Sequence, residues 1–371
     1  MSEIKVNSIK GVGASTAAIT VNNTDGTCTA NITNNLSNRN LIINGAQQVA
    51  QRLSSSASTE EGFKTIDRFA MYYNGVNENP AQQQADVASG TTPYSLGFRK
   101  SFKITNGDQT SGAQNASRVF VAYNVEAQDM ANSGWNYTSS SSNITLSFWV
   151  KASVAGNYYG YLYSFDGSSQ GYSFDTGSLT ADTWTKVTKT ISGNSNLQFD
   201  NDTGSGFYIA IGAYWGTDYT DSGNTMNQWA AWSGSSRTPV NTTGWYTTND
   251  ATFEITGMQL EVGSVATDFE HRSYANELKK CERYFEIVAT GQVFKIESTG
   301  GYVEIPLIFR TVKRADPTMT LLSSEENFVS SVSVVGGNST EKIYHAGLRG
   351  NTIDTTGNKY LYGKASASAE L

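Results

Sequence analysis

With 371 residues, a formal net charge of −7 and a sequence pI near 5.0, the chain can bury more than one core, yet it offers no broad basic surface to follow phosphates; nucleic-acid binding is thereby excluded. Charged residues make up only 16% and aromatics 12%, with 20 Tyr and 35 Gly, a mixture that favours β-structure punctuated by Gly/Asn/Asp turns over disorder. No run approaches the roughly eighteen apolar residues of a membrane span, and MSEIKVNSIKG lacks the apolar core of a signal peptide, so synthesis in a cytoplasm without membrane insertion is expected.

Residues 1–38 hold no aromatic residue, only short alternations at Ile4, Val6 and Ile9, at Ala18, Ile19 and Val21, and at Ile32. Such pieces bury too little to be stable alone, so this segment is expected to gain order from neighbouring chains or a docking site. From residue 39 to 270 the period-two pattern predicts strands over 41–52, 66–73, 94–104, 116–126, 144–152, 158–165, 184–191, 206–214 and 253–262, separated by Gly/Asn/Asp/Ser clusters. Leu146, Phe148 and Val150 alternate with Thr145, Ser147 and Trp149, and Phe207, Ile209 and Ile211 with Tyr208 and Ala210. Strands of this kind face one sheet to another, and a jelly-roll-like β-sandwich is predicted.

The longest interruption, 215–250, carries Trp215, Trp229, Trp232 and Trp245, with Tyr214, Tyr219 and Tyr246 beside them. Exposed indoles and phenols can cover the apolar face of a sugar ring, which makes Trp215, Trp232, Tyr219 and Tyr246 candidate saccharide contacts. An alternative is a loop packed by its own aromatics.

After Val262 the period lengthens. Tyr274, Leu278, Cys281 and Phe285 line one face of a short helix within 271–286, with Ser273 as its N-cap; this stripe is a candidate seam for a homotrimer. Residues 287–371 read as a small C-terminal β-domain, with Val303, Ile305, Leu307 and Phe309 alternating against Glu304, Pro306, Ile308 and Arg310. The whole is thus all-β: a short strand segment, a sandwich, a linker helix and a second β-domain.

Catalytic and metal signals are absent. Cys28 and Cys281 make no disulfide framework, and His271 and His345 are the only histidines, with no CxxC or HExxH spacing. Asp166, Asp175, Asp200, Asp202, Asp218 and Asp221 sit beside Gly, Ser, Asn or Thr, where Asp serves turns rather than glycan cleavage. Asp200-Asn201-Asp202 lacks the downstream glutamate of a calcium loop. No catalytic residue, cofactor or metal is expected.

The run ITGMQLEVGSVATDFEHRSYANELKKCERYF resembles a segment of tailed-bacteriophage tail fibre and related virion proteins, in which TGxQLExG leads to FExRSYxxEL and CxRY. NLIINGAQQVAQR at 40–52, TIDRF at 65–69 and the close of the chain at 369–371 resemble the same family, with Gln47 where a bulky apolar residue is usual and Asp268 where proline is common. The resemblance implies a non-enzymatic virion structural protein, a homotrimeric tail fibre attached to other virion proteins through residues 1–38 and touching host-surface polysaccharide through its β-domains. A glycan-cleaving tailspike depolymerase and a head-decoration fibre without receptor binding are the rival readings.

Overall fold

The computed structural model of the chain describes residues 38–52, 56–336 and 344–371, and of the N-terminal segment residues 6–10, 12, 19–21, 24 and 28–30. In that segment β1 (Ser8–Ile9), β2 (Ile19–Val21) and β3 (Cys28–Ala30) form an antiparallel sheet in chain order. The remainder of the expected attachment segment lies outside the described residues.

The sandwich follows: β4 (Phe69–Asn74), β5 (Ala81–Asp86), helix α1 (Thr92–Ser95), β6 (Lys100–Thr105), β7 (Arg118–Glu126), helix α2 (Ala127–Ala131), β8 (Asn143–Ala152), β9 (Gly156–Ser164), β10 (Gln170–Leu179), β11 (Thr185–Ser192), β12 (Ser205–Trp215), β13 (Trp229–Ala231) and β14 (Thr252–Val262). A six-stranded antiparallel sheet runs β13-β10-β9-β12-β7-β4 and faces a five-stranded one, β11-β8-β14-β6-β5. The chain passes repeatedly from one sheet to the other, as in a jelly-roll-like sandwich. Leu146, Phe148 and Val150 meet Phe207, Ile209 and Ile211 between the sheets, all essentially inaccessible. Within β14 the register slips between Thr256 and Gln259; Gly257 stands there at φ +62° with Phe98 packed against its α-carbon, so a side chain would fit neither backbone nor space.

Several strand boundaries are corrected. The region 41–52, expected as a strand, is irregular and largely buried, because Asn44 and Gln47 take left-handed backbone (φ 62° and 60°) and turn the chain. Its polar backbone is satisfied by side chains instead of a ladder. Asn40 Oδ1 accepts from the Ile42 and Leu260 amides, and Asn44 Oδ1 from Val49. Glu270 accepts from the Asn38 and Asn40 amides, Arg272 donates to the carbonyls of Asn40 and Ile42, and Glu277 accepts from the Asn44 amide. The charged residues of the FEHRSYANEL run are therefore the hydrogen-bond partners of the NLIING run. The expected strand over 94–104 begins as α1, started by Pro93 in its first turn, and becomes a strand only at β6. Strands β5 and β10 were not anticipated: AQQQAD has no apolar alternation, and QGYSFDTGSL is interrupted by Gly and Asp.

Helix α3 (Tyr274–Glu282) is capped as expected, Ser273 accepting from the Asn276 amide. The proposed trimer seam on it is corrected. Cys281 and Phe285 are buried within this chain, Phe285 under the Arg52 guanidinium at 3.6 Å, whereas Tyr274 is 54% exposed and Leu278 half-buried. One turn of apolar stripe is thus already covered, and the four residues make no common free face.

Beyond α3, β15 (Phe285–Ile296), β16 (Tyr302–Ile308), β17 (Thr318–Glu326), β18 (Val329–Gly336), β19 (His345–Ile353) and β20 (Gly357–Ser368) form two three-stranded sheets, β15-β20-β17 and β16-β19-β18, around a separate core of Val288, Ile305, Leu307, Leu348 and Leu361. Ala365 and Ala367 of the central strand β20 are fully buried, where small side chains let neighbouring residues close over the strand.

The chain end is anchored to the sandwich by a buried charge cluster. Arg68, itself inaccessible at φ 73°, lies 3.4 Å over the Tyr284 ring and donates to Glu370 Oε2 (2.5 Å) and the Asn124 carbonyl (2.6 Å). Arg52 pairs with both Asp67 (3.2 Å) and Glu370 (3.1 Å). Arg283 grips buried Glu126 through two nitrogens at 2.7 and 2.9 Å. All the motifs that carry the family resemblance meet here or at the NLIING run.

Candidate functional site

The two outer faces of the sandwich differ in chemistry. On the five-stranded sheet, Ser101, Lys151, Glu254, Gln259 and Glu261 point outward and satisfy one another: Glu254 pairs with Lys151 at 2.9 Å and accepts from Ser101 at 2.9 Å, and Gln259 donates to Glu261 at 2.7 Å. Ser101, Glu254, Gln259 and Glu261 are buried, and Trp149 of β8 stands on the same face in a small separate cluster with Phe98, Trp184 and Phe269. On the six-stranded sheet the outward positions are aromatic. Tyr72 of β4, Phe120 of β7, Tyr208 and Trp215 of β12, and Tyr159, Tyr161 and Tyr163 of β9 form a second cluster outside the main core, joined by Trp232.

Alternation along the strands produces this arrangement. In β9, Tyr158 and Leu162 enter the core while Tyr159, Tyr161 and Tyr163 face out, and in β7 Val119 and Val121 enter while Phe120 and Ala122 face out. The rings form a continuous belt: Tyr72 to Phe120 5.7 Å, Phe120 to Trp215 4.7 Å, Trp215 to Tyr161 5.4 Å, Tyr161 to Trp232 5.1 Å, Trp232 to Tyr163 4.5 Å and Tyr163 to Phe165 4.7 Å between centroids. Segment 216–238 folds over one end and contributes Tyr219, Trp232 and Arg237. Its entry is fixed by the Gly216 amide donating to the Ser117 carbonyl, and its exit by the Arg237 amide donating to Tyr219. Between β10, β13 and this segment lies a cavity of about 210 Å³ lined by Ser173, Asn224, Gln228, Trp232, Ser236 and Arg237, among others.

The four candidate contacts separate. Trp232 and Tyr219 lie half-exposed on the belt. Trp215 is its floor, 1% exposed with Nε1 donating to the Tyr159 carbonyl at 3.0 Å, and so is not an exposed platform. Tyr246 is also 1% exposed and belongs to the main core, its hydroxyl donating to the Gly75 carbonyl at 2.6 Å; it is removed from the site. Trp245 is fully buried, and Trp229 packs half-buried against the core.

Sequence reasoning missed Tyr72, Tyr163, Phe165 and Tyr208, which line the accessible part of the belt; Phe165 is 40% exposed and the three tyrosines half-buried. The signal was present in YYGYLYSF at 158–165, where aromatics occupy both faces of one strand, a pattern not needed for a sheet with one wet side. Burial pushes the Tyr161 and Tyr208 hydroxyls above the usual phenol range, against the opposing influence of Arg237 and Arg118. Both hydroxyls therefore stay protonated at neutral pH and keep donor and acceptor capacity.

The aspartates sit in turns and pairs: Asp202 and Asp221 each accept from the amide two residues on, Asp166 from the Asp200 amide, and Asp175 pairs with Lys189 at 2.7 Å. Among the described residues no three His, Cys, Asp or Glu side chains gather as a metal site, and no helix is long and apolar enough to cross a membrane.

No family model matches the chain, and no curated protein matches it. Among solved structures, it is similar to the enzymatically active domain of bacteriophage CBA120 tailspike protein 4 (9% identity over 61% of this chain and 22% of that one, TM-score 0.32). It is similar also to the N-terminal cellulose-binding domain of Cellulomonas fimi β-1,4-glucanase C (11% identity, 58% and 97% covered, TM-score 0.28) and to the family 11 carbohydrate-binding module of a Clostridium thermocellum cellulase (11% identity, 58% and 98% covered, TM-score 0.26).

Proposed function

We propose that this protein binds polysaccharide, without cleaving it, through the aromatic outer face of the six-stranded sheet. The observation that carries the reading is the belt of half-exposed rings at Tyr72, Tyr163, Phe165, Tyr208 and Trp232 on a sheet face that would otherwise be polar. Flat rings held by a rigid sheet give apolar cover to sugar rings at little entropic cost, and neutral phenols beside them meet sugar hydroxyls. The wall formed by 216–238 lies on one side of the belt, so a chain can lie along it.

The resemblance of the sequence motifs to tail fibre proteins supports placing this surface on a virion, joined to it through residues 1–38 and presented to a host-surface glycan. Weak contacts repeated over several copies would then hold by avidity. Assembly as a homotrimer rests on that resemblance alone, and light scattering on the purified chain reads it directly.

The testing experiment is affinity electrophoresis of the full chain through gels carrying host-surface polysaccharides, with reducing-end release followed in parallel. Retardation without new reducing ends is expected, and Tyr208→Ala and Trp232→Ala should each be retarded less than wild type. Equal retardation of the two variants would place binding elsewhere, and new reducing ends would make the protein a depolymerase.

A further inference from the structure

Resting on the binding reading above, we propose that the polysaccharide taken by this face is acidic, and that Arg118 and Arg237 bind its carboxylate or sulfate. The two arginines come from separate elements, Arg118 from the first position of β7 and Arg237 from the end of the covering segment. They converge on one ring: their guanidinium carbons lie 4.8 and 4.6 Å from the Tyr219 centroid. Arg118 also approaches Phe120 at 5.9 Å, and Arg237 approaches Trp232 at 5.7 Å and Tyr161 at 5.9 Å. Both therefore belong to the belt.

Among the described residues neither guanidinium is paired with a carboxylate, and Arg118 Nε is buried without any hydrogen-bond partner. Arg237 Nε donates to the Gly234 carbonyl at 2.8 Å, which fixes the side chain, and the Tyr161 hydroxyl lies within hydrogen-bond reach of the guanidinium. Two like charges gathered on one ring repel each other, and a buried guanidinium N–H without an acceptor is unfavourable. An anion drawn to the two guanidinium groups relieves their mutual repulsion and gains charge-assisted hydrogen bonds in the planar geometry that guanidinium and carboxylate or sulfate share.

The adjoining cavity supplies the rest of a subsite. Arg237 and Trp232 form part of its wall, with Ser173, Asn224, Gln228 and Ser236 as hydroxyl and amide partners. At about 210 Å³ it is smaller than a drug-sized site of roughly 300–1,000 Å³ and fits a single sugar-sized group. The net charge of −7 opposes non-specific attraction of polyanions, so retention on an acidic glycan reports this local site and not overall charge.

The test is affinity electrophoresis of the intact protein in gels of a neutral glucan, a uronate polysaccharide and a sulfated galactan, at low and raised salt, for wild type, Arg118→Gln, Arg237→Gln and Arg237→Lys. Retention should be at least about tenfold stronger on one acidic gel than on the neutral one, and weaken with salt. Either Gln variant should lose about five- to tenfold on the acidic gel, with Arg237→Lys losing less. Stronger retention on the uronate gel assigns a carboxylate, on the galactan a sulfate, and either supports the proposal. Should the neutral glucan be held as tightly as the acidic gels, or the Gln variants match wild type, the anion site is overturned while polysaccharide binding stands. Retention on none of the three would overturn both.

Discussion

Arginines meet aromatic rings at two places in this molecule, and the counter-charges differ. At the chain end, Arg52 and Arg68 stack on Phe285 and Tyr284, and their guanidinium groups are neutralised by Asp67 and Glu370 in a site almost free of water. On the outer sheet face, Arg118 and Arg237 stack on Tyr219, half-exposed, with no carboxylate of the described residues beside them. The first arrangement is closed: every charge has its partner inside the chain, and its work is to join the last residues and the end of α3 to the sandwich. The second is open, and only a molecule from outside can complete it. Arginine on tyrosine is thus not itself a sign of function; the missing anion is.

The comparison is broken most severely if the closed cluster proves dispensable. Arg68→Met leaves Glu370 with Arg52 as its remaining cation and the Asn124 carbonyl without its donor, and loss of one partner of a buried pair costs about 3–5 kcal/mol. Chemical denaturation should show that loss, and limited proteolysis should open the chain near its end, where Glu370, Ala369 and Leu371 are held by Arg68, Arg314 and Asn124. A loss under about 1 kcal/mol would mean the cluster is a solvated surface pair after all.

A titration sharpens the same point. Burial pushes the Asp67 carboxyl up to about 6, against the lowering influence of Arg52 and Gln51. The folded protein therefore holds this proton where the unfolded chain has already lost it. Its contribution to stability is complete below about pH 4 and is lost as pH rises to about 6, amounting to about 3 kcal/mol. Asp67→Asn removes that titration, so its stability relative to wild type should improve between pH 4 and pH 7 by an amount of that order. Melting curves across this range that stay parallel for the two proteins would show that Asp67 is ionised throughout.

How much of this was legible in the sequence depended on whether a residue's partner was near or far along the chain. Alternation found the sandwich strands because each carries its own inward face: Leu146, Phe148 and Val150 needed no distant information. The run at 41–52 looked like a strand because Leu41, Ile42, Val49 and Ala50 are apolar, but its geometry is set by Glu270, Arg272 and Glu277 more than 200 residues on. The same limit divided the aromatic candidates. Trp232 and Trp215 are alike in composition of surroundings, and only the strand register, with Trp215 opposite Arg118 on β7 and its indole over Gly212, shows which one is covered. Tyr72 and Tyr208 were missed because they lie in different parts of the chain and become one surface only when β4, β7 and β12 pair.

One buried polar group belongs to neither arrangement. The Gln47 amide is inaccessible, and neither its nitrogen nor its oxygen has a hydrogen-bond partner. It occupies the position where the resembling family usually has a bulky apolar residue. Gln47→Met keeps length and flexibility, removes the unpaired amide and should stabilise the protein by about 1–2 kcal/mol. The left-handed backbone there is no worse for Met than for Gln. Denaturation midpoints test this; a destabilised variant would show that the amide is satisfied by bound water.

The smallest expected effect tests the open arrangement without touching the closed one. Trp232 lies over Gly171 of β10 and beside Tyr161 and Tyr163, half-exposed and outside the main core. Trp232→Ala should weaken polysaccharide binding by about 1 kcal/mol, the scale of a stacked ring contact, while the melting temperature changes little. Gly171→Ala provides the same test with the indole retained: its methyl would stand 2.9 Å from Trp232 Cε3, so the ring must move from its seat. If the seat matters, the two variants lose affinity together. Trp215→Ala is the contrasting control, since a fully buried indole beneath the belt should lower stability first and binding only as a result. Early melting of Trp232→Ala would assign this tryptophan to the floor with Trp215. Unchanged binding in both Trp232→Ala and Gly171→Ala would leave Tyr72, Tyr163, Phe165, Tyr208 and Tyr219 as the rings of the face that can touch a sugar.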